Sequence, residues 1–334
     1  MYRRIHFRPA PSMVPASVAL LLLTLVVSLA GCSYTTTNDP LLVAQVNGAN
    51  ITLAAYQTLL PFSIAKAEYD AENPNSNSAP TPIDWRIANQ RDAYAQAQQT
   101  TLDSLIDLEL TREQLRAQHI TVSASALRDA QTQITATLIT YRQQFTQDPT
   151  NSALEALIDS LNSTTVQLLA EQSAGLTALA QHGKLPRVHV SEIVVVGRKQ
   201  AEHVLTLAQH GASFTTLAKT YSTTGSTASD LGTIYPGELS YEAYLEAQQN
   251  VPSQFSSGVG ASFDKLVFAP QRTPAFVLLP LAQGGGYGVF HITQAPQGSL
   301  ASVKDQSIQL SIIAGWIADT LYTRAQIRQY IVVG

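Results

Sequence analysis

Hydrophobic and polar positions divide this chain into three stretches. Leu42-Val43-Ala44-Gln45-Val46, followed by Asn47-Gly48, reads as a strand closing in a tight turn, because Asn-Gly tolerates the positive φ angles such turns need. Ile51-Thr52 then leads into a helix through about Leu60. From about Ala88 to His119 the period lengthens. Leu102, Leu105, Ile106 and Leu110 form one apolar face, interleaved with Asp103, Asp107 and Glu109, which predicts a long amphipathic helix. Ile120-Thr121-Val122 breaks it, and Ser123 is an N-cap for a second helix carrying Leu127, Ala130, Ile134, Leu138, Tyr141 and Phe145. Asp148-Pro149 ends that one. Leu154, Leu157, Ile158, Leu161 and Leu168 start a third, expected to run to about Gln181.

After a link at Gly183–Pro186 the pattern turns β-rich. Val188 to Val196 suits a strand buried in a sheet, and Gly197 ends it. Ala201, Val204, Leu205 and Ala208 then follow helical spacing up to Gly211, and Phe214, Leu217, Ala218 and Tyr221 continue the stripe on a second short helix. Further on come Asp230-Leu231-Gly232, Phe263–Ala269 and Gly286–Thr293. Pro296-Gln297-Gly298 is expected to mark a boundary, beyond which Ile308, Ile312, Trp316 and Leu321 predict a C-terminal amphipathic helix. One helix cannot bury its own apolar face. It has three places to go: the N-terminal helices, the sheet, or a second chain.

The length of 334 residues is enough for two domains. The net charge of −4 has no basic run behind it, so nucleic acid is not an expected partner. The seven histidines are scattered without metal-ligand spacing, and neither a metal nor a cofactor is expected. Cys32 is the only cysteine. Arg3, Arg4 and Arg8 precede an apolar run, Val18 to Leu29, that is short for a spanning helix. Leu29-Ala30-Gly31-Cys32 then matches the bacterial lipobox, which makes residues 1–31 a lipoprotein signal peptide, Cys32 the lipidated residue and residues 32–40 a polar tether. An uncleaved N-terminal anchor is the other reading. Either way the body of the protein is expected outside the cytoplasm, tethered to the bacterial cell membrane.

The strand at 188–196, the two helices after it, the DLG, the Phe263–Ala269 segment and the Gly286–Thr293 segment occur in an order that resembles the parvulin family of peptidyl-prolyl isomerases, over roughly residues 185–295. The VAQVNG…IT opening and the run LDSLIDLELTREQLRAQHITVSASALRDAQTQI resemble the N-terminal and chaperone segments of SurA/PrsA-type foldases. The resemblance implies an α+β fold. A helical chaperone-like domain would form from both chain ends, residues 41–184 plus 300–331, with a parvulin-like domain of small antiparallel sheet and flanking helices inserted at 185–297. It also implies a membrane-anchored foldase that handles unfolded or proline-containing secreted polypeptides.

Rotation about an X-Pro bond faces a barrier of about 18–20 kcal/mol. Catalysis needs an apolar niche for the ring and a polar set that favours the twisted amide. The resemblance assigns the niche to Leu231, Leu239 and Phe263, and leaves Phe268 as core. The polar set is changed. The position usually held by a first-strand histidine is Glu192, that of the second histidine is Gly288, and the Cys or Asp position is Thr223 or Thr224. His189 and His291 each lie three residues away, an odd offset that sends a strand side chain to the opposite face. They read as surface or edge histidines, and Glu192 and Thr223 are left as the polar candidates. Two functions stay open: an isomerase with a degraded site, and a non-catalytic holdase of the same fold.

Overall fold

The computed structural model describes residues 42–72, 91–223, 228–239, 257–270, 273–281, 286–303 and 305–330. Cys32 and its leader, the Pro/Asn/Ser segment at 73–82, Thr224 and most of the insertion after Tyr235 lie outside the described residues. The architecture is α+β, a helical unit and a sheet unit.

The helical unit begins with β1 (Leu42–Val46) and β2 (Ala49–Thr52), joined by Asn47 and Gly48 at φ of 49° and 89°. Helix α1 (Leu53–Glu72) runs well past Leu60, with Pro61 in its interior. A proline there removes a backbone hydrogen bond. The buried stripe Tyr56, Leu59, Phe62, Ala65 continues straight across it, and packing of that stripe holds the helix together. Helices α2 (Arg91–Ala117) and α3 (Ala124–Gln147) follow, the latter capped by Ser123, whose Oγ accepts from the Ala126 N–H at 3.1 Å. The third predicted helix is two. Helix α4 (Ser152–Ser160) stops and α5 (Ser163–His182) restarts, because Asn162 accepts from the N–H groups of Thr164 and Thr165 at 3.0 Å each and so begins a new helix. The core holds Leu102, Ile106, Leu157 and Leu179 with Ile312, Ile313 and Trp316 from the far end of the chain.

The expected C-terminal helix is present as one continuous helical run, 306–324, whose winding changes along its length. Helix α9 (Gln306–Gly315) passes into a π-wound segment, Trp316–Leu321, then a last turn, Tyr322–Arg324, and closes as strand β7 (Ile327–Gln329). Strand β7 pairs antiparallel with β1, Ala44 opposite Gln329 and Val46 opposite Ile327, which gives a three-stranded sheet of order β2-β1-β7. Of the three places open to the C-terminal helix, it takes the first: it packs on α5.

The sheet unit is four antiparallel strands in the order β4-β3-β6-β5, with β3 Lys184–Val195, β4 Ser229–Ile234, β5 Phe276–Pro280 and β6 Tyr287–Ser299. Helices α6 (Arg198–Gln209) and α7 (Phe214–Tyr221) cover one face, where Ile193, Val195 and Val289 meet Ala201, Val204 and Leu217. Helix α8 (Ser257–Val267) covers the other, over Val190, Val194, Phe290 and Ile292. The link expected at 183–186 and the break at 296–298 are instead the paired ends of β3 and β6, Lys184 opposite Ser299 and Leu185 opposite Gly298. Pro296 is admitted because β6 at this end has β3 on one side only, and a register shift occurs between Leu185 and Arg187.

Candidate functional site

Alternation along β3 sends Val188, Val190, Glu192 and Val194 to the α8 face. Glu192 stands opposite Phe290 and Val194 opposite Gly288, so the two positions that the resemblance gives to histidines are diagonal neighbours on one face. They are physically interlocked. A Cβ added to Gly288 would lie 2.7 Å from the Glu192 Oε1 and 2.7 Å from the Phe290 ring. The Glu192 carboxylate, 1% exposed, therefore occupies the volume that any larger residue at 288 would claim.

Phe263, from α8, closes over this pair. Its ring centroid is 5.5 Å from that of Phe290, edge to face, and 6.3 Å from that of Phe268. Leu239 and Phe268 lie in the same apolar cluster, and Leu231 packs at its edge. Leu231, Leu239 and Phe263 are thus brought together. Phe263 and Leu239 are 0% and 3% exposed, so in this structure they are packed side chains and not the walls of an open groove, while Leu231 is half-buried.

Thr223 is held elsewhere: its N–H and Oγ both donate to the Val194 carbonyl, at 2.9 and 3.1 Å, which clips the end of α7 to β3. His189 and His291 lie on the α6/α7 face, across the sheet from Glu192. His291 is more than an edge residue. Its ring stacks on Phe276 at 5.0 Å and meets Phe214 at 5.3 Å, and burial, followed by the nearby His189, lowers its pKa. The Nε2 of His189 lies 3.2 Å from the Asp230 Oδ1, the same oxygen that accepts from the Gly232 N–H. The DLG aspartate therefore fixes its own turn, at a Gly232 with φ of 81°.

Asp264, beside Phe263, is a buried acid that the sequence pattern did not single out. It is 0% exposed, accepts from the Gly237 N–H at 2.5 Å, and burial pushes its carboxyl well above the usual range. Among the described residues, no group of His, Cys, Asp and Glu has the arrangement to hold a metal ion, and no helix is long and apolar enough to cross a membrane.

Comparison with known proteins bears on the front of the chain: residues 7–154 match the SurA-like N-terminal domain family. Among solved structures the chain is similar to the peptidylprolyl isomerase PrsA from Bacillus anthracis, at 15% sequence identity over 67% of this chain and 92% of that one. The TM-score of that match is 0.22, too low for it to define the arrangement described above. No curated protein matches the chain.

Proposed function

We propose that the protein is a membrane-anchored extracytoplasmic foldase, held by a lipid on Cys32, whose sheet unit is a parvulin-like domain with a degraded isomerase site. It binds unfolded or proline-containing secreted polypeptides and assists their folding. The SurA-like N-terminal match supports the foldase reading. The observation that carries the reading of the site is the Glu192–Gly288 contact beneath Phe263. A carboxylate fills the space of the second polar group, and a packed aromatic cluster surrounds it. Such a site lacks an imidazole near a bound amide nitrogen or oxygen, so little of the electrostatic assistance to bond rotation is left. This favours the holdase alternative on the same fold over fast catalysis.

A protease-coupled assay on a proline-containing peptide, run beside suppression of aggregation of an unfolded client, separates the two. The expected result is isomerisation close to the uncatalysed rate together with suppressed aggregation. Catalysis well above background, abolished by Leu231→Asp, would show a working isomerase. Failure in both assays would overturn the foldase reading. For the anchor, radiolabelled fatty acid should enter the wild-type chain and not Cys32→Ser.

A further inference from the structure

A cavity of about 540 Å³ opens at the seam between the two units, where the ends of α2 and α5, the start of β3 and the π-wound segment converge. Its floor is apolar: Trp316 and Leu321, 4% and 9% exposed, come from the two ends of that segment. Its rim carries two cations, Lys184 and Arg324, beside the exposed imidazoles of His119 and His182. No Asp or Glu among the described residues lines it.

Part of this charge has an internal explanation. His182 sits in the last turn of α5 and His119 just past the end of α2, where the helix dipole favours positive charge. Arg324, in the last turn of the C-terminal helical run, is placed in the same way, and Lys184 is not. The Arg324 guanidinium donates to the backbone carbonyls of Phe268, Ala269 and Pro270, just past the end of α8, so its orientation is fixed and its charge is met by the dipole of that helix and not by a carboxylate among the described residues. Among the described residues neither Lys184 nor Arg324 forms an ion pair with a carboxylate. The floor is built by π winding, a rare geometry that is frequent at functional sites. A cavity of this size, apolar below and bearing a few oriented polar groups, has the form of a ligand site.

We propose that this seam cavity is a second peptide-binding site, selective for segments that carry a carboxylate next to an apolar side chain. The apolar side chain rests on Trp316 and the carboxylate pairs with Arg324 and Lys184. The proposal deepens the foldase reading and rests on it. Nucleic acid phosphate is disfavoured by the net charge of −4 and the lack of a basic run.

The two tryptophans of the chain, Trp85 and Trp316, give a direct test, since Trp85→Phe leaves Trp316 as the sole emitter. The full mature chain carrying that change is titrated with a Leu-Glu-containing peptide and with its Leu-Gln counterpart, following Trp316 fluorescence. The expected result is at least tenfold tighter binding of the acidic peptide, lost in Lys184→Glu. Succinate and inorganic phosphate serve as competitors: displacement by succinate supports recognition of the carboxylate, and displacement by phosphate alone overturns it in favour of a phosphate site. Equal binding of the two peptides, or acidic selectivity that survives Lys184→Glu, overturns the proposal while suppression of client aggregation persists. Absence of both peptide binding and aggregation suppression overturns the foldase reading as well.

Discussion

At the scale of single residues, the sheet unit depends on a glycine that makes room for a carboxylate. Any Cβ at 288 meets Glu192 and Phe290 at 2.7 Å, so Gly288→Ala is expected to destabilise the protein by about 1–3 kcal/mol, the usual cost of overpacking a core. Glu192→Ala should relieve part of that loss. A double-mutant cycle in urea measures this, and strict additivity would show that the two positions do not share a volume. A second residue reports through pH. Burial, reinforced by the charge of Asp103, raises the Asp107 carboxyl to about 8. The folded state holds that proton more tightly than the unfolded chain, whose carboxyl titrates near about 4. Its contribution to stability is therefore complete below about pH 4 and is lost as pH rises toward about 8. Asp107→Asn should flatten the stability profile over that window and raise the unfolding midpoint at pH 8. An unchanged slope between pH 5 and 8 would remove Asp107 as its source.

At the scale of elements, caps and winding decide where helices stop. Asn162→Ala removes the acceptor for two N–H groups at the start of α5 and should cost about 1 kcal/mol, read as a lower urea midpoint at unchanged m-value. The same residue shows what was legible beforehand. The apolar spacing from Leu154 to Leu168 runs across the break between α4 and α5, so periodicity alone joins them, and only the Asn side chain marks the restart. Ser123, between two clear stripes, was legible as a cap for the same chemical reason. The strand β3, helices α6 and α7 and the DLG turn were also legible, because β-branched runs and helical stripes are local signals. Strand β7 was not. Three residues, Ile327-Arg328-Gln329, have no period of their own and become a strand only because β1 offers an edge. The grouping of Leu231, Leu239 and Phe263 followed from ordered motifs. Their close packing did not, because it depends on how α8 seats against Phe290, a contact distant in sequence.

At the scale of the molecule, the two units touch through a close backbone approach. A Cβ on Gly315, at the end of α9, would lie 2.7 Å from the Gly237 Cα, and Gly237 itself has a φ of 82°. Nearby, Lys265 and Asp319 approach to 3.9 Å across the same seam. Gly315→Val should force the units apart, lowering the unfolding midpoint by several degrees and raising the radius of gyration in small-angle scattering. An unaltered scattering curve with an unaltered midpoint would show that the seam does not depend on this approach.

The pairing of β1 with β7 also bears on how such a chain matures as it leaves a ribosome or a translocon. The sheet unit is uninterrupted in sequence and has every strand it needs once Ser299 has emerged. The helical unit must wait, with one flank of β1 uncovered, until Ile327–Gln329 arrive. Completion of the helical unit therefore depends on Ile327–Gln329, and a chain cut just before them would carry a finished inner module on an unfinished frame.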